Sequence, residues 1–481
     1  MAGLFLLCVW RAATQSISHD EALTWLLYLD GPLVGVFAGW RANNHMLHTL
    51  LAWFAVHAFG PGELVLRLPA LLGGALYLLA ARRLALRLFG AGPLHLLCLL
   101  LLAANPLVLD LLVAARGYGL SLAMLLWSAL ALLSLVERVA QGGDAGAPAL
   151  ARVSLLLGAC VAASLSYAPA ALGLALAALP LLRPRSAAAP MLLLPGATLA
   201  CALLLPAMSG VPREAFIAGA ERPSSMVDTL VEVSLAHHEA PGLPARGGNF
   251  VLRVLRPAFR GLALLLLAAL VPALLASARQ RPARDGGERA LRLLGGALWL
   301  AVAGLVAAHL ATGLLYPVDR GALELVALAV PCALLLARGG LRSRWRPLAA
   351  SVIGVLCLVA LLHAGSLQAG HFALWPLDAG ARRLFAAVEE RQALIPRREV
   401  QVRVAHRFLA PAWQFYQRTR AAGWMAPVPA EWDRTDLAFD YLVVPTGDWY
   451  DVLAGDPERF NLMLEDEASG VRLALPKRRG R

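Results

Sequence analysis

The sequence predicts a polytopic α-helical membrane protein with a small C-terminal soluble α/β domain, and three observations carry that prediction. Of 481 residues, 59% are hydrophobic and only 15% charged, and the mean hydropathy is +0.65, too apolar for an ordinary soluble globule. Apolar runs that meet or approach the ~20 residues needed to cross a bilayer recur as far as residue 364. Beyond about Gly370 the pattern changes to shorter segments that alternate or carry helical spacing between charges.

Run length places spans over residues 62–80, 94–114, 119–136, 153–168, 170–182, 191–208, 261–278, 293–314, 321–337 and 348–364. The pair around Tyr167-Ala168-Pro169 is short and reads as a tight hairpin or one kinked span. Residues 1–13 are apolar but reach only about two-thirds of a span, and they lack a basic n-region and a small-residue cleavage site. They read as a truncated first helix, which brings the expectation to about eleven transmembrane helices.

Arginines set the orientation. Arg82, Arg83 and Arg87, then Arg138 and Arg152, Arg183 and Arg185, the group from Arg279 to Arg292, and Arg338 to Arg346 fall in one alternating set of loops. By the positive-inside rule these face the cytoplasm. The opposite set, including outer loops 14–61 and 209–260, the Arg116 turn and the turn from Tyr316 to Arg320, then faces the periplasm or exterior. This divides the chain into a membrane domain, 1–365, and an outer α/β domain, 366–481. In the outer domain residues 378–393 have helical spacing, 400–404 alternate like a strand, and 439–444 read as a buried strand.

The net charge of +12 is accounted for by those loops, so nucleic acid is not an expected partner. Cys8, Cys98, Cys160, Cys201, Cys332 and Cys357 lie inside apolar runs without metal-type spacing and read as small core residues. No Walker loop, Rossmann fingerprint or GxSxG elbow is present, so no nucleotide site is suggested. Near-absence of lysine beside abundant Ala, Leu, Arg and Gly is the composition of a GC-rich bacterial genome.

Several short polar motifs stand at the outer edge. Ser18-His19-Asp20-Glu21 puts two carboxylates at the bilayer edge, where ionisable groups are expensive and functional by default. Asp20 is a candidate base; the plain structural alternative is that the acids cap a helix N-terminus. Residues 22–29 form an amphipathic stretch whose Trp25 and Tyr28 suit the membrane interface. Asn44, His45 and His48 precede or open an apolar helix and could orient a phosphate, ligate a metal or sit at a wet interface. Arg116 and Tyr118, in Ala115-Arg116-Gly117-Tyr118, and Arg320, in the turn opened by Tyr316, could fork onto a phosphate or snorkel to headgroups. His237-His238-Glu239 could face an acceptor, but adjacent histidines diverge and make a poor two-histidine metal site. Trp413, Phe415 and Tyr416 read as a core helix face with sugar stacking as the alternative.

In order along the chain, Asp20-Glu21, Asn44-His45, Glu63-Leu64-Val65-Leu66-Arg67-Leu68-Pro69, Ala115-Arg116-Gly117-Tyr118, and Tyr316-Pro317 with Arg320 resemble bacterial relatives of the dolichyl-phosphate-mannose protein mannosyltransferases and aminoarabinose transferases, membrane glycosyltransferases of the GT-C fold. The chain departs from their pattern at Met46-Leu47, where the family has paired prolines.

The resemblance implies transfer of a hexose or pentose from a polyprenyl-phosphate donor to an envelope acceptor, a lipid, glycan or protein, at the outer face of a bacterial inner membrane, with inversion. It implies Asp20 as base with Glu21 orienting it, orienting an acceptor hydroxyl or holding a divalent ion. Arg116, Arg320, His45 and Tyr118 would hold the donor phosphate, and Asn44, His48, Tyr316, His237 and His238 would line the substrate. No cofactor is required by it, and a divalent metal is an option. The competing function is a transporter or flippase of a lipid-linked sugar. Clear inverted repeats and mid-bilayer polar residues would mark one, and neither is evident.

Overall fold

The computed structural model describes residues 1–39, 41, 43–182, 188–208, 219–228, 245–279, 283–395, 399–433, 438–449 and 460–477. In chain order the elements are α1 (Ala2–Thr14), α2 (His19–Thr24), α3 (Met46–Phe59), α4 (Glu63–Phe89), α5 (Pro93–Ala103), α6 (Pro106–Leu111), α7 (Tyr118–Ala140), α8 (Ala147–Ala163), α9 (Ala168–Ala178) and α10 (Ala188–Met208). They continue with α11 (Ala245–Ala278), α12 (Gly286–Thr312), α13 (Leu323–Gly340), α14 (Arg346–Gly365), α15 (Ala381–Leu394), β1 (Val402–Val404), α16 (Ala410–Thr419), β2 (Tyr441–Pro445), β3 (Phe460–Asp466) and β4 (Val471–Pro476). Two compact units result: Met1–Cys8, Phe37–Leu50 and Pro69–Leu367 form the first, and Val9–Val36, Leu51–Leu68 and Gln368–Arg481 the second.

Among the described residues seven helices are long and apolar enough to cross a membrane: α4, α7, α10, α11 from Arg256, α12, α13 with its preceding turn, and α14. The helices of 10–17 residues, α3, α5 and α8 among them, are equally apolar but shorter. The expected span 94–114 is not one helix. It breaks at Asn105-Pro106, where the Asn105 side chain accepts the Leu107 and Val108 N–H groups and Pro106 occupies the first helical position, so α6 starts anew. The expected pair 153–168 and 170–182 is likewise divided at Ser164, whose extended backbone ends α8 before the turn Leu165–Tyr167. Close packing in the first unit relies on glycine. Gly158 on α8 and Gly196 on α10 meet backbone to backbone, so a Cβ on either would overlap the opposite chain, and the Ser154 hydroxyl accepts the Gly196 N–H at 2.8 Å.

In the second unit β1 runs parallel to β2, β2 antiparallel to β4, and β4 antiparallel to β3, giving the order β1-β2-β4-β3. β2 is buried along its length, which is why it reads as a continuous apolar run; β3 exposes alternate residues and carries a bulge, so its pattern is weak. α15 buries Leu384, Phe385 and Val388, and α16 buries Trp413, Phe415 and Tyr416, so those aromatics are core. Trp25 and Tyr28, expected at a membrane interface, are buried in protein, and Trp25 packs edge-on to Phe415 at 5.3 Å.

At the centre of the second unit lies the Arg67 guanidinium, fully buried at the start of α4. Its five N–H groups are all used: Nε and Nη2 grip the Glu21 carboxylate at 2.8 Å each, and Nη1 and Nη2 donate to the Ala12, Gln15 and Ser16 carbonyls at 3.0, 2.8 and 2.8 Å. One turn earlier Glu63 accepts the Tyr416 hydroxyl and the Arg382 Nε, both at 2.9 Å, while the Tyr416 oxygen accepts the Ile17 N–H at 3.0 Å. Asp378 closes the ring by accepting the His19 N–H at 2.6 Å.

Removing one partner of a buried ion pair strands the other, at a cost of roughly 3–5 kcal/mol. Glu21→Gln should therefore lower thermal stability in detergent by about that amount, whereas the double change Glu21→Met with Arg67→Met should recover much of it. Equal losses in the two variants would remove the pair from its central role. The buried Asp378 carboxyl supplies a second prediction. Burial holds it well above the ordinary aspartate value of 3.8; the His19 N–H opposes this, and the neighbouring Asp20 and Glu21 carboxylates add to the rise. Because the folded value is raised, its stabilising contribution is complete below the ordinary value and is lost as pH climbs from there through the raised one. Asp378→Asn keeps an acceptor for His19 and removes the titration, so the variant should gain in melting temperature relative to wild type as pH rises above about 4. Parallel melting curves across that range would contradict this.

Candidate functional site

The second unit contributes Asp20 and Glu21. Ser18 is the N-cap of α2, its side chain accepts the Glu21 N–H, and Glu21 in turn accepts the Ser18 N–H at 2.8 Å, a reciprocal capping box. Three backbone-dictated positions follow: His19 begins the helix, Asp20 is second, Glu21 third. Glu21 is fully buried and committed to Arg67 and the cap. Asp20, 6% exposed, lies beside it, and the electrostatic influence of Asp20 on Asp378 puts a third carboxyl within reach. His19 is held by its Nδ1 contact to the Phe408 carbonyl at 2.9 Å and by edge-on packing against the Phe408 ring at 4.9 Å. The helix then continues into a π-turn, Trp25–Leu29, a local distortion often found where function requires it.

The first unit brings together His45, Arg116 and Tyr118, with His48 and Arg320 in electrostatic reach of His45. The His45 ring packs edge-on to Tyr118 at 4.7 Å, and the Arg116 guanidinium lies 5.9 Å from the Tyr118 ring centre. Gly117 makes this possible. A Cβ there would overlap the Ala163 carbonyl oxygen and crowd the His45 Cβ, so the turn before α7 accepts only glycine. Arg116 is 1% exposed, in a setting where a guanidinium stays charged.

His45 has lost its charge. Burial pushes its imidazole well below the ordinary 6.5, the Arg116 guanidinium adds to the depression, the bond to the Ala163 carbonyl opposes it, and His48 and Arg320 depress it further. The neutral ring places its proton on Nδ1, since the Ala163 oxygen 2.9 Å away can only accept. Nε2 then presents a lone pair, and among the described residues nothing donates to it. His45 is thus a hydrogen-bond acceptor here, not an added cation.

Asn44 is buried, with its amide nitrogen donating to the Gly39 carbonyl at 3.3 Å, and His48 is buried beneath it on α3. Tyr316 stacks on His309 at 4.5 Å and pairs its backbone with Ala220. Arg320 is half-buried in the turn Asp319–Ala322, whose first residue takes a left-handed φ of 48°, an uncommon conformation for a residue with a side chain. His237 and His238 lie outside the described residues.

Sequence reasoning listed Arg67 and Glu63 only as part of a motif. A charge in an apolar helix, with a second charge four residues before it, was a signal that both face one partner set. The Ser18-x-x-Glu21 spacing announced the capping box. Nothing in the sequence marked Asp378. Glu324 was also missed: in the first turn of α13 it is fully buried, with neither carboxylate oxygen hydrogen-bonded among the described residues, and it acts electrostatically on Tyr167, whose hydroxyl likewise has no partner there. As for a divalent ion at Glu21, a carboxylate ion-paired to a guanidinium at zero exposure does not fit one. Among the described residues no three His, Cys, Asp or Glu side chains are grouped for a metal.

No protein-family model matches the sequence, and no curated protein matches it. Among solved structures the chain is similar to the oligosaccharyltransferase of Archaeoglobus fulgidus in its complex with Zn and sulfate, at 14% identity and a TM-score of 0.47, covering 95% of this chain and 70% of that one. It is similar also to ArnT of Cupriavidus metallidurans bound to undecaprenyl phosphate, at 16% identity and a TM-score of 0.46, over 98% of this chain and 96% of that one. The apo state of the same ArnT gives a TM-score of 0.39 at 16% identity, over 98% and 97% of the two chains.

Proposed function

We propose that the chain is an integral membrane glycosyltransferase of the GT-C type that moves a sugar from a polyprenyl-phosphate donor to an envelope acceptor at the periplasmic face of a bacterial inner membrane. The observation that carries this reading is the buried cluster of Arg116, Tyr118 and His45, with Arg320 in electrostatic reach, in a unit built of membrane-length helices. A buried guanidinium beside hydrogen-bonding aromatic groups is suited to a phosphate whose lipid tail stays in the bilayer.

The chemistry follows from the residues. The acceptor hydroxyl attacks the anomeric carbon as its proton passes to the Asp20 carboxylate; the bond from that carbon to the phosphate oxygen breaks; polyprenyl phosphate leaves with the electron pair. One displacement inverts the centre. Charge grows on the departing phosphate, and Arg116 and Arg320 stabilise it in a low-dielectric setting where fixed cations act strongly. His45, neutral, accepts a hydrogen bond from a substrate hydroxyl through Nε2, and Tyr118 fixes its ring. Glu21 is a positioning residue, since it holds the start of α2 against Arg67. Asn44, His48, Tyr316, His237 and His238 are assigned to the substrate surroundings on sequence grounds.

Purified protein in lipid, given labelled polyprenyl-phosphate sugars and envelope extract, should consume donor and label one acceptor class. Asp20→Asn should reduce turnover by about 10²–10⁴-fold with the melting temperature unchanged. Full turnover in that variant would remove Asp20 from the mechanism, and labelled lipid crossing the bilayer without transfer would indicate a flippase. Arg116→Ala should lower donor kcat/KM by about 10²–10³-fold. Arg320→Ala should act mainly on donor KM. Unchanged kinetics in both arginine variants would overturn the phosphate assignment.

A further inference from the structure

Far along the first unit's chain from these motifs, α11, α12, α13 and α14 enclose a groove of about 870 Å³. Its walls are aliphatic, with Leu262, Leu266 and Ala273 of α11 facing Leu336 of α13 and Leu348 and Val352 of α14. Two of the side chains that line it, Leu265 and Leu348, are 42% and 43% exposed, so it is an open apolar channel and not a sealed core. Its mouth differs in chemistry. Arg284, Arg292, Arg338 and Arg342 gather there with Trp345, against only Asp285 and Glu288.

The two acids are already engaged. Asp285 caps α12 by accepting the Glu288 N–H at 2.8 Å, and Glu288 takes Arg292 at 2.5 Å and the Arg284 N–H at 2.8 Å. Arg338 donates to the Leu88 carbonyl at 2.7 Å and lies 5.7 Å from the Phe89 ring centre. Arg284 and Arg342 are exposed and form no ion pair among the described residues, so the mouth keeps an excess of positive charge. Trp345, 57% exposed, stands at the boundary between basic rim and apolar channel, the position indole prefers at headgroup depth.

We propose that this groove is a binding site for one anionic phospholipid of the surrounding bilayer, its acyl chains lying between α11, α13 and α14 and its phosphate held by Arg284 and Arg342. Two features select this occupant. Apolar walls at membrane depth exclude a soluble anion, and the uncompensated arginines at the mouth favour a net-negative headgroup over a zwitterionic one. The rim belongs to the loops that the positive-inside rule assigns to the cytoplasm, so the lipid comes from the leaflet that those loops face. The inference does not depend on the transferase reading.

The test uses the full-length protein in nanodiscs, with native mass spectrometry counting retained lipid. Phosphatidylglycerol, phosphatidylcholine and a polyprenyl phosphate are titrated separately. Phosphatidylglycerol should be retained at one copy and outcompete phosphatidylcholine, with the preference shrinking as salt rises. The double variant Arg284→Ala with Arg342→Ala changes exposed side chains only and should weaken phosphatidylglycerol retention about 30-fold. Leu265→Trp, which fills the channel and spares the rim, should abolish retention while the melting temperature in lipid-free detergent stays unchanged. Equal retention of the anionic and zwitterionic lipids, or no effect of either variant, would overturn the proposal. Preferential retention of polyprenyl phosphate would overturn the choice of a bilayer phospholipid as occupant.

Discussion

A single guanidinium organises the second unit. Burying Arg67 and Glu21 together costs several kcal/mol of desolvation per ion, and such a pair is tolerable only when its remaining hydrogen-bonding capacity is satisfied. Here it is: all five Arg67 N–H groups have acceptors, and Glu21 accepts from the Ser18 backbone besides. The result ties the end of α1, the start of α2 and the first turn of α4 to one point. Asp20, next in sequence to Glu21, inherits its position from that point and not from the conformational preferences of a surface loop.

The rest of the unit extends the same design. Glu63, one turn before Arg67, ties α4 to Tyr416 and Arg382, and Asp378 holds the N-terminal end of α2. Each bond joins the stretch around residues 15–21 to the segment after Gln368, so the polar tail and the first loop are one folded body. In the first unit the electrostatics are the reverse. Positive charge at Arg116 stands next to a histidine that burial has neutralised, so cation and acceptor coexist a few ångströms apart without competing for a proton.

Most of the helical architecture was legible because long apolar runs leave few alternatives. Where it was misread, at residues 94–114 and 153–182, local capping chemistry at Asn105-Pro106 and Ser164 broke runs whose composition is uniform. β3 and β4 were not read at all; β3 half-exposes its residues and carries a bulge, so neither an alternating nor a continuous apolar pattern survives. Of the site, Asp20, His45, Arg116 and Tyr118 were legible as short motifs. Their roles were less so: Glu21 reads as a free acid until its partner 46 residues away is known, and His45 reads as a cation until its burial is known. Asp378 and Glu324 depend on tertiary neighbours that no local pattern encodes.

The Arg67 network also fixes an order of events during synthesis. The carbonyls of Ala12, Gln15 and Ser16 leave the ribosome about fifty residues before the guanidinium that satisfies them, and Ser16, Ile17 and His19 wait for Ala379, Tyr416 and Asp378, some 360 to 400 residues later. The loop carrying Asp20 therefore cannot reach its final hydrogen-bonded state until nearly the whole chain has been made. An unfinished or clipped product would carry the same carboxylate in an unassembled loop, which makes completion of the chain itself the step that sets Asp20 in place.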